Sequence, residues 1–352
     1  MSSCNISGPI HSSLAMLQEL LVIRLNLNSI SSPVPEFFAN FSNLNVLELS
    51  SCKLSGRFPK NIFQIQTLNA LHISNNQDLH GFLPNFLHHA SLHTMNLSNT
   101  NFFGRLPGSV SNLKSLSTLD LSNCQFNETL PISMSELTQL VHLDLSFNKF
   151  IGPLPSFKMA KNLKYFSLLH NNLTGDIPST HFEGLANLLT LNLGDNSLNG
   201  KVPMSLFTLP SLQELTLSHN GFDGPLDEFP NVSSSKLQLI DLGNNKLEGP
   251  IPVSVFHLKG LHFLQLSGNE FNGTIQLDMI QRLHNLHTLG LSHNKLSVNI
   301  SFSDDHDLSS LPNVKFILLA SCNLREFPKF LRNQPQLNAI DLNLTRSGGL
   351  TL

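Results

Sequence analysis

The chain has 352 residues, a net charge of −3 and only 13% charged side chains, so it lacks the basic surplus that a nucleic-acid-binding surface requires. With no Trp, one Tyr and 25 Phe, its core is expected to be aliphatic with Phe as filler. The opening MSSCNISGPIHSS has no basic or apolar signal-peptide region, and no run of about 18 apolar residues encodes a membrane helix.

Taken in order, the chain begins with a partial unit, Ser3 to Ile10, and then repeats itself. An apolar pair spaced two apart recurs with its first member, the origin of each repeat, at Ile23, Leu47, Leu71, Met95, Leu119, Leu143, Phe166, Leu191, Leu215, Ile240, Leu264, Leu289, Ile317 and Ile340. The first five intervals are 24 residues, the next six run from 23 to 25, and the last two are 28 and 23. Residues two apart share one face of an extended segment, so each pair sends both side chains into a core while its neighbours face out. A period of about 24 with this pattern specifies a leucine-rich repeat, in which every unit adds a strand to a parallel concave sheet. The fold class expected is an α/β-type repeat solenoid, a plant-type right-handed superhelix with an irregular or 3-10 convex side. It covers 1–352 as a single solenoid of about 13 repeats, with partial repeats at both ends and an irregular repeat at 289–316.

The stretch Leu140–Pro155, LVHLDLSFNKFIGPLP, displays the parts. Leu143 and Leu145 are the core pair. Five residues after the origin comes Asn148, and the same slot holds Asn28, Asn76, Asn171, Asn196, Asn220, Asn245, Asn269 and Asn294. A buried amide there satisfies backbone groups that an inward turn removes from water. Nine after the origin comes Gly (Gly56, Gly104, Gly152, Gly175, Gly200, Gly224, Gly249, Gly273), where positive φ or a close backbone approach is expected. Pro follows three later, at Pro59, Pro107, Pro131, Pro155, Pro178, Pro203 and Pro252. Cys4, Cys52, Cys124 and Cys322 fall in the Asn slot, as Thr100 does. The nearest two, Cys4 and Cys52, lie two repeats apart, about 9–10 Å, so four buried thiols and no disulfide are expected.

Sequons for N-glycosylation occur at Asn5, Asn40, Asn96, Asn127, Asn172, Asn231, Asn272, Asn299 and Asn343. Asn40, Asn127, Asn272 and Asn299 are the candidates for use, being placed outside the strands. Asn96 lies on the concave strand, where a glycan would block the face. Eight His (His72, His93, His142, His170, His219, His262, His287 and His293) fall on outward strand positions. His262 and His287 share a column on adjacent strands, but two His without a third ligand make no metal site, and no metal is expected. A mixed polar binding face is expected instead, pH-dependent if these side chains charge. The run Asp304-Asp305-His306-Asp307 lacks the Gly and distal Glu of a calcium loop and is expected to be a solvated loop. No G-x-S-x-G, H-E-x-x-H or phosphate-binding glycine loop is present, so neither catalysis nor a cofactor is expected.

The outward positions are two before, one before, one after, three after and four after each origin. Exposed aromatics there are good anchors for a partner. The leading group is Tyr165 with His142, Asp144, Phe147 and His170; a second is Phe263 with Leu239 and His262. Thirteen strands at about 4.8 Å span roughly 60 Å, which suits a peptide or protein better than a small molecule.

The stretches SSCNISGPI (Ser2–Ile10), VPEFFANFSNL (Val34–Leu44), HFEGLANLLTLNL (His181–Leu193), LEGPIPVSVF (Leu247–Phe256) and LASCNLREFPKFLRNQ (Leu319–Gln334) carry a further resemblance. Over essentially its whole length the chain resembles plant leucine-rich-repeat receptor-like proteins, particularly the Verticillium wilt disease resistance type. That resemblance implies a glycoprotein at the extracellular face of the plasma membrane that takes part in plant defense and signal transduction. It implies a microbial or endogenous protein or peptide ligand, with co-receptor kinases as signalling partners. It also implies a signal peptide, caps, a membrane helix and a short tail. None of these is found in the chain, which is expected to be a fragment of the extracellular domain. The alternatives are a secreted inhibitor of cell-wall-degrading enzymes, which is shorter and has paired-Cys caps, and the ectodomain of a receptor kinase.

Overall fold

The computed structural model describes residues 4–230, 232–299, 313–323, 331 and 334–343. The Asp304–Asp307 run and the sequon at Asn231 lie outside the described residues, as does most of 324–333 in the last matching stretch. The chain folds as two compact units, Met1–Thr174 with Thr180–Leu188, and Gly175–Ser179 with Leu189–Leu352.

In the first unit, seven three-residue strands lie side by side and parallel: Val22–Arg24, Val46–Glu48, Ala70–His72, Thr94–Asn96, Thr118–Asp120, His142–Asp144 and Tyr165–Ser167. Their register sets each origin opposite the next, from Ile23↔Leu47 through to Leu143↔Phe166. The second unit repeats this with Thr190–Asn192, Glu214–Thr216, Leu239–Asp241, Phe263–Gln265, Thr288–Gly290, Phe316–Leu318 and Ala339–Asp341. Leu289 stands opposite Ile317 despite the 28-residue interval, so the extra residues leave the strand register untouched. Such exact alternation follows from burial: a slip of one residue would turn every core leucine outward. Leu143 and Leu145 are both fully buried, with half-buried His142 before them and half-buried Asp144 between them.

The return path is more ordered than the irregular or 3-10 side expected. After most polar slots the chain makes a second strand, Lys149–Gly152 in the central coil, and within each unit these strands lie parallel in a second sheet. Phe102, Phe126, Phe150, Phe222 and Phe271, each seven after its origin, point inward from it and are fully buried. The eight glycines nine after an origin all have positive φ, which ends the strand by turning the backbone where a Cβ is disfavoured. Single 3-10 turns follow directly after Pro59, Pro107, Pro131, Pro203 and Pro252, whose fixed φ of −57° to −70° begins the turn without losing a needed N–H.

The polar slot behaves as the amide argument requires. Asn148 Nδ2 donates to Leu145 O and Ser146 O in its own coil and to Leu121 O in the preceding one. Asn76, Asn171, Asn220, Asn245 and Asn294 repeat that pattern. Thr100 substitutes with a hydroxyl donating to Leu97 O at 2.6 Å. Cys52, Cys124 and Cys322 are buried, and their thiols donate to Leu25 O, Leu97 O and Leu291 O at 3.0, 3.2 and 3.2 Å. None of the four cysteines is in a disulfide. Cys4 departs from expectation: it is exposed, because no described coil covers its slot.

A second correction concerns the position three after the origin, expected to face outward. Ser74, Ser98, Ser146, Ser218 and Ser292 are buried there. In several coils the residue one after the origin folds back to accept the backbone N–H at this position, as Asp120, Asp144, Asn192 and Asp241 do, which ties down the turn in those coils. Among the described residues no helix is long and apolar enough to cross a membrane.

Candidate ligand-binding face

Three neighbouring strands of the first unit bring the leading group together. His142 stands opposite Tyr165, while Asp144 stands opposite Ser167 on one side and Asp120 on the other. The rings of His142 and Tyr165 stack with centroids 4.5 Å apart and planes 9° from parallel. The Tyr165 hydroxyl donates to Asp144 Oδ2 at 3.4 Å. Asp144 Oδ1 is taken by Ser146, whose N–H and Oγ donate at 2.9 and 2.6 Å. Burial first, then the Asp144 carboxylate, pushes the Tyr165 phenol above its ordinary value of 10.0, so it stays a neutral donor at physiological pH.

Phe147 completes the group from the turn that follows. Its side chain is 46% exposed and its ring lies 5.2 Å from that of His170. The backbone there is left-handed, with φ +53°. The same turn position is left-handed at Ser51, Asn75, Asn99, Asn123, His170, Asp195, His219, Asn244 and His293, mostly residues that adopt this conformation readily. A Phe at that position is strained and gains little from burial. All five residues of the leading group therefore sit on one face of one unit.

The second group is less unified. Leu239 and Phe263 are register partners in the second unit and are half-buried. His262 instead stacks on His287, with centroids 5.3 Å apart and planes 16° from parallel. Among the described residues no cluster of three or more His, Cys, Asp or Glu could hold a metal ion. Of the glycosylation candidates, Asn40 is exposed in a 3-10 turn. Asn127, Asn272 and Asn299 prove to lie on second-sheet strands rather than outside strands, the first two exposed and Asn299 half-buried. Asn96 is on its expected strand, with Oδ1 accepting from the N–H and hydroxyl of Ser98.

A family model for a leucine-rich repeat region matches residues 82–332, and a single leucine-rich-repeat model matches 43–65. The chain belongs to the leucine-rich-repeat family. Short stretches of this repeat protein are similar to plant receptors. Over 64 residues it is 48% identical to receptor-like protein 7 of Arabidopsis thaliana, and that match covers 18% of the chain and 6% of the relative. Over 68 residues it is 41% identical to pollen receptor-like kinase 2 of the same plant, covering 19% of the chain and 10% of the relative. Among solved structures, the Arabidopsis receptor kinase HAESA in complex with the peptide hormone IDA and the co-receptor SERK1 superposes with a TM-score of 0.85 at 28% identity. That likeness covers 97% of the chain and 56% of the HAESA chain. A TDR receptor gives a TM-score of 0.69 at 27% identity, over 96% and 66% of the two chains.

One residue of this repeat protein's face escaped the candidate set drawn from sequence. Asp120 is the register partner of Asp144 and holds Ser122 in the same way, at 3.0 and 2.7 Å. The signal was available: both carboxylates fall one after their origins, 24 residues apart.

Proposed function

We propose that the chain is the ligand-recognition part of a plant cell-surface immune receptor-like protein of the Verticillium wilt resistance type. It holds a microbial or endogenous peptide or protein against the first-sheet face around Tyr165. The observation that carries this reading is the pair of ring contacts, His142 stacked on Tyr165 and Phe147 tilted against His170, on a fold whose neighbour HAESA was solved with a peptide hormone bound. Aromatic side chains supply large contact area at small conformational cost, and a strained, exposed Phe contributes little to folding. On this reading the chain acts outside the cell by binding, without catalysis or cofactor, and co-receptor kinases carry the signal onward. Asn40, Asn127 and Asn272 carry its glycans.

The test uses the full chain secreted from plant cells and immobilised, with fractionated microbial secreted proteins and synthetic secreted plant peptides as probes. At least one purified probe is expected to bind, with Tyr165→Ala weakening it by about tenfold or more. Ile132→Ala, at an 83% exposed position on a 3-10 turn of the return path, is expected to leave binding unchanged. Binding that is insensitive to both Tyr165→Ala and Phe147→Ala would overturn the reading.

A further inference from the structure

Resting on the reading that a peptide docks around Tyr165, we propose that this face recognises a basic side chain of the peptide, lysine or arginine. The cation is held between the Asp120 and Asp144 carboxylates and the rings of Tyr165 and Phe147.

Charge complementarity identifies the occupant. Asp120 and Asp144 are direct partners on adjacent parallel strands, about 4.8 Å apart. Like charges placed side by side on a sheet cost stability. Neither residue forms an ion pair among the described residues, so their partners there are the neutral donors of serine and tyrosine and no cation balances the two charges. Lys164, next to Tyr165 in sequence, is exposed and pairs with neither carboxylate. Each carboxylate is also oriented: one oxygen is fixed by the serine two residues on, while Asp144 Oδ2 receives only the long 3.4 Å contact from Tyr165.

The negative charge is not needed for the turn itself. Asn96, at the equivalent position one strand earlier, makes the same two bonds to Ser98 at 2.9 and 2.7 Å. An amide therefore does the structural work, and the charge at Asp120 and Asp144 is surplus to it. The flanking surface suits a cation as well. His142 covers one face of the Tyr165 ring, while the exposed Phe147 ring offers a negative π-face over which an ammonium or guanidinium is attracted, and a guanidinium also stacks flat on a ring.

Because Asn is already tolerated at this position, Asp120→Asn with Asp144→Asn removes the charge and keeps the bonds to serine. Phage displaying randomised peptides would be panned against the immobilised full chain, with parallel panning on that double variant and on Tyr165→Ala. Thermal melting of each variant confirms that it is folded. The expected result is enrichment of Arg or Lys at one position. Synthetic copies of the selected peptides should bind the double variant at least about tenfold more weakly, and should lose as much when the basic residue is replaced by Gln. Peptides that depend on Tyr165 but carry no enriched basic residue would overturn the inference and leave the docking face standing. Peptides indifferent to Tyr165→Ala would overturn both.

Discussion

Asn148 and Phe126 are joined across consecutive coils: the Oδ1 of Asn148 accepts from the Phe126 N–H at 3.0 Å. The same amide donates to Leu121 O at 2.8 Å. Replacing Asn148 with Ala would leave a donor and an acceptor buried without partners, so a loss of about 2–4 kcal/mol is expected in urea unfolding. Asn148→Cys should lose less, because the thiols of Cys52 and Cys124 still serve the carbonyl of the preceding coil. Equal losses for the two variants would contradict that account.

The thiols divide by burial. Desolvation raises the Cys52 and Cys124 thiols above their ordinary 9.0 and pushes Cys322 up to about 12, while Cys4 is exposed. At pH 8, Ellman's reagent should therefore titrate one thiol in the native chain and four after denaturation. The linkage has a definite sign. Unfolded thiols ionise while the folded ones stay protonated, so the contribution is whole below the unfolded pKa and stability falls as pH climbs from 9 towards 12. A flat alkaline limb in chemical denaturation would count against it.

Two glycines separate conformational strain from crowding. Gly104 has φ +87° with open space where a Cβ would point, whereas a Cβ on Gly152, at φ +77°, would come within 2.8 Å of Thr129 Cγ2. Gly104→Ala is expected to cost about 1–2 kcal/mol from backbone strain alone. Gly152→Ala should cost about 1 kcal/mol more, since Thr129 must give way. Matched unfolding curves for the two variants decide the order.

Phe147 should trade stability against binding. An Asn suits φ +53° better, and it would extend the side-chain ladder in which Asn99 donates to Asn75 and Asn123 donates to Asn99, at 3.0 and 2.6 Å. Phe147→Asn is expected to raise stability by about 0.5–1 kcal/mol while weakening capture of any ligand that also depends on Tyr165. Loss of both properties would mean that the ring contact with His170 supports the fold.

The strand register, the amide slot, the left-handed glycines and the proline-started turns were legible in the sequence, because each is demanded by physics local to one coil. The His142–Tyr165 stack was legible for the same reason, since it needs only the register. The second sheet was not. Its strands in the central coils are as short as Lys149–Gly152, too brief for alternation to stand out, although the recurring Phe seven after the origin marks it. Burial of Ser146 and its equivalents also stayed hidden. A serine carries no apolar signal, and it is buried both beside an acceptor two residues earlier, as Ser146 is after Asp144, and without one, as Ser292 is after Gly290. The strain at Phe147 becomes visible only when the turn residues of successive coils are compared.

The asparagine bonds reach one coil back and no further, as those of Asn148 do. Within each unit, cohesion is therefore passed between neighbours through the same few backbone atoms, whatever the outward residues are. A gene encoding such units can duplicate, delete or shuffle a 24-codon cassette, and the new junctions find the bonding groups they need already present. The outward residues, Tyr165 and Asp144 among them, travel with their cassette as cargo. A lineage can thus redraw what the surface binds while inheriting the means of holding it together.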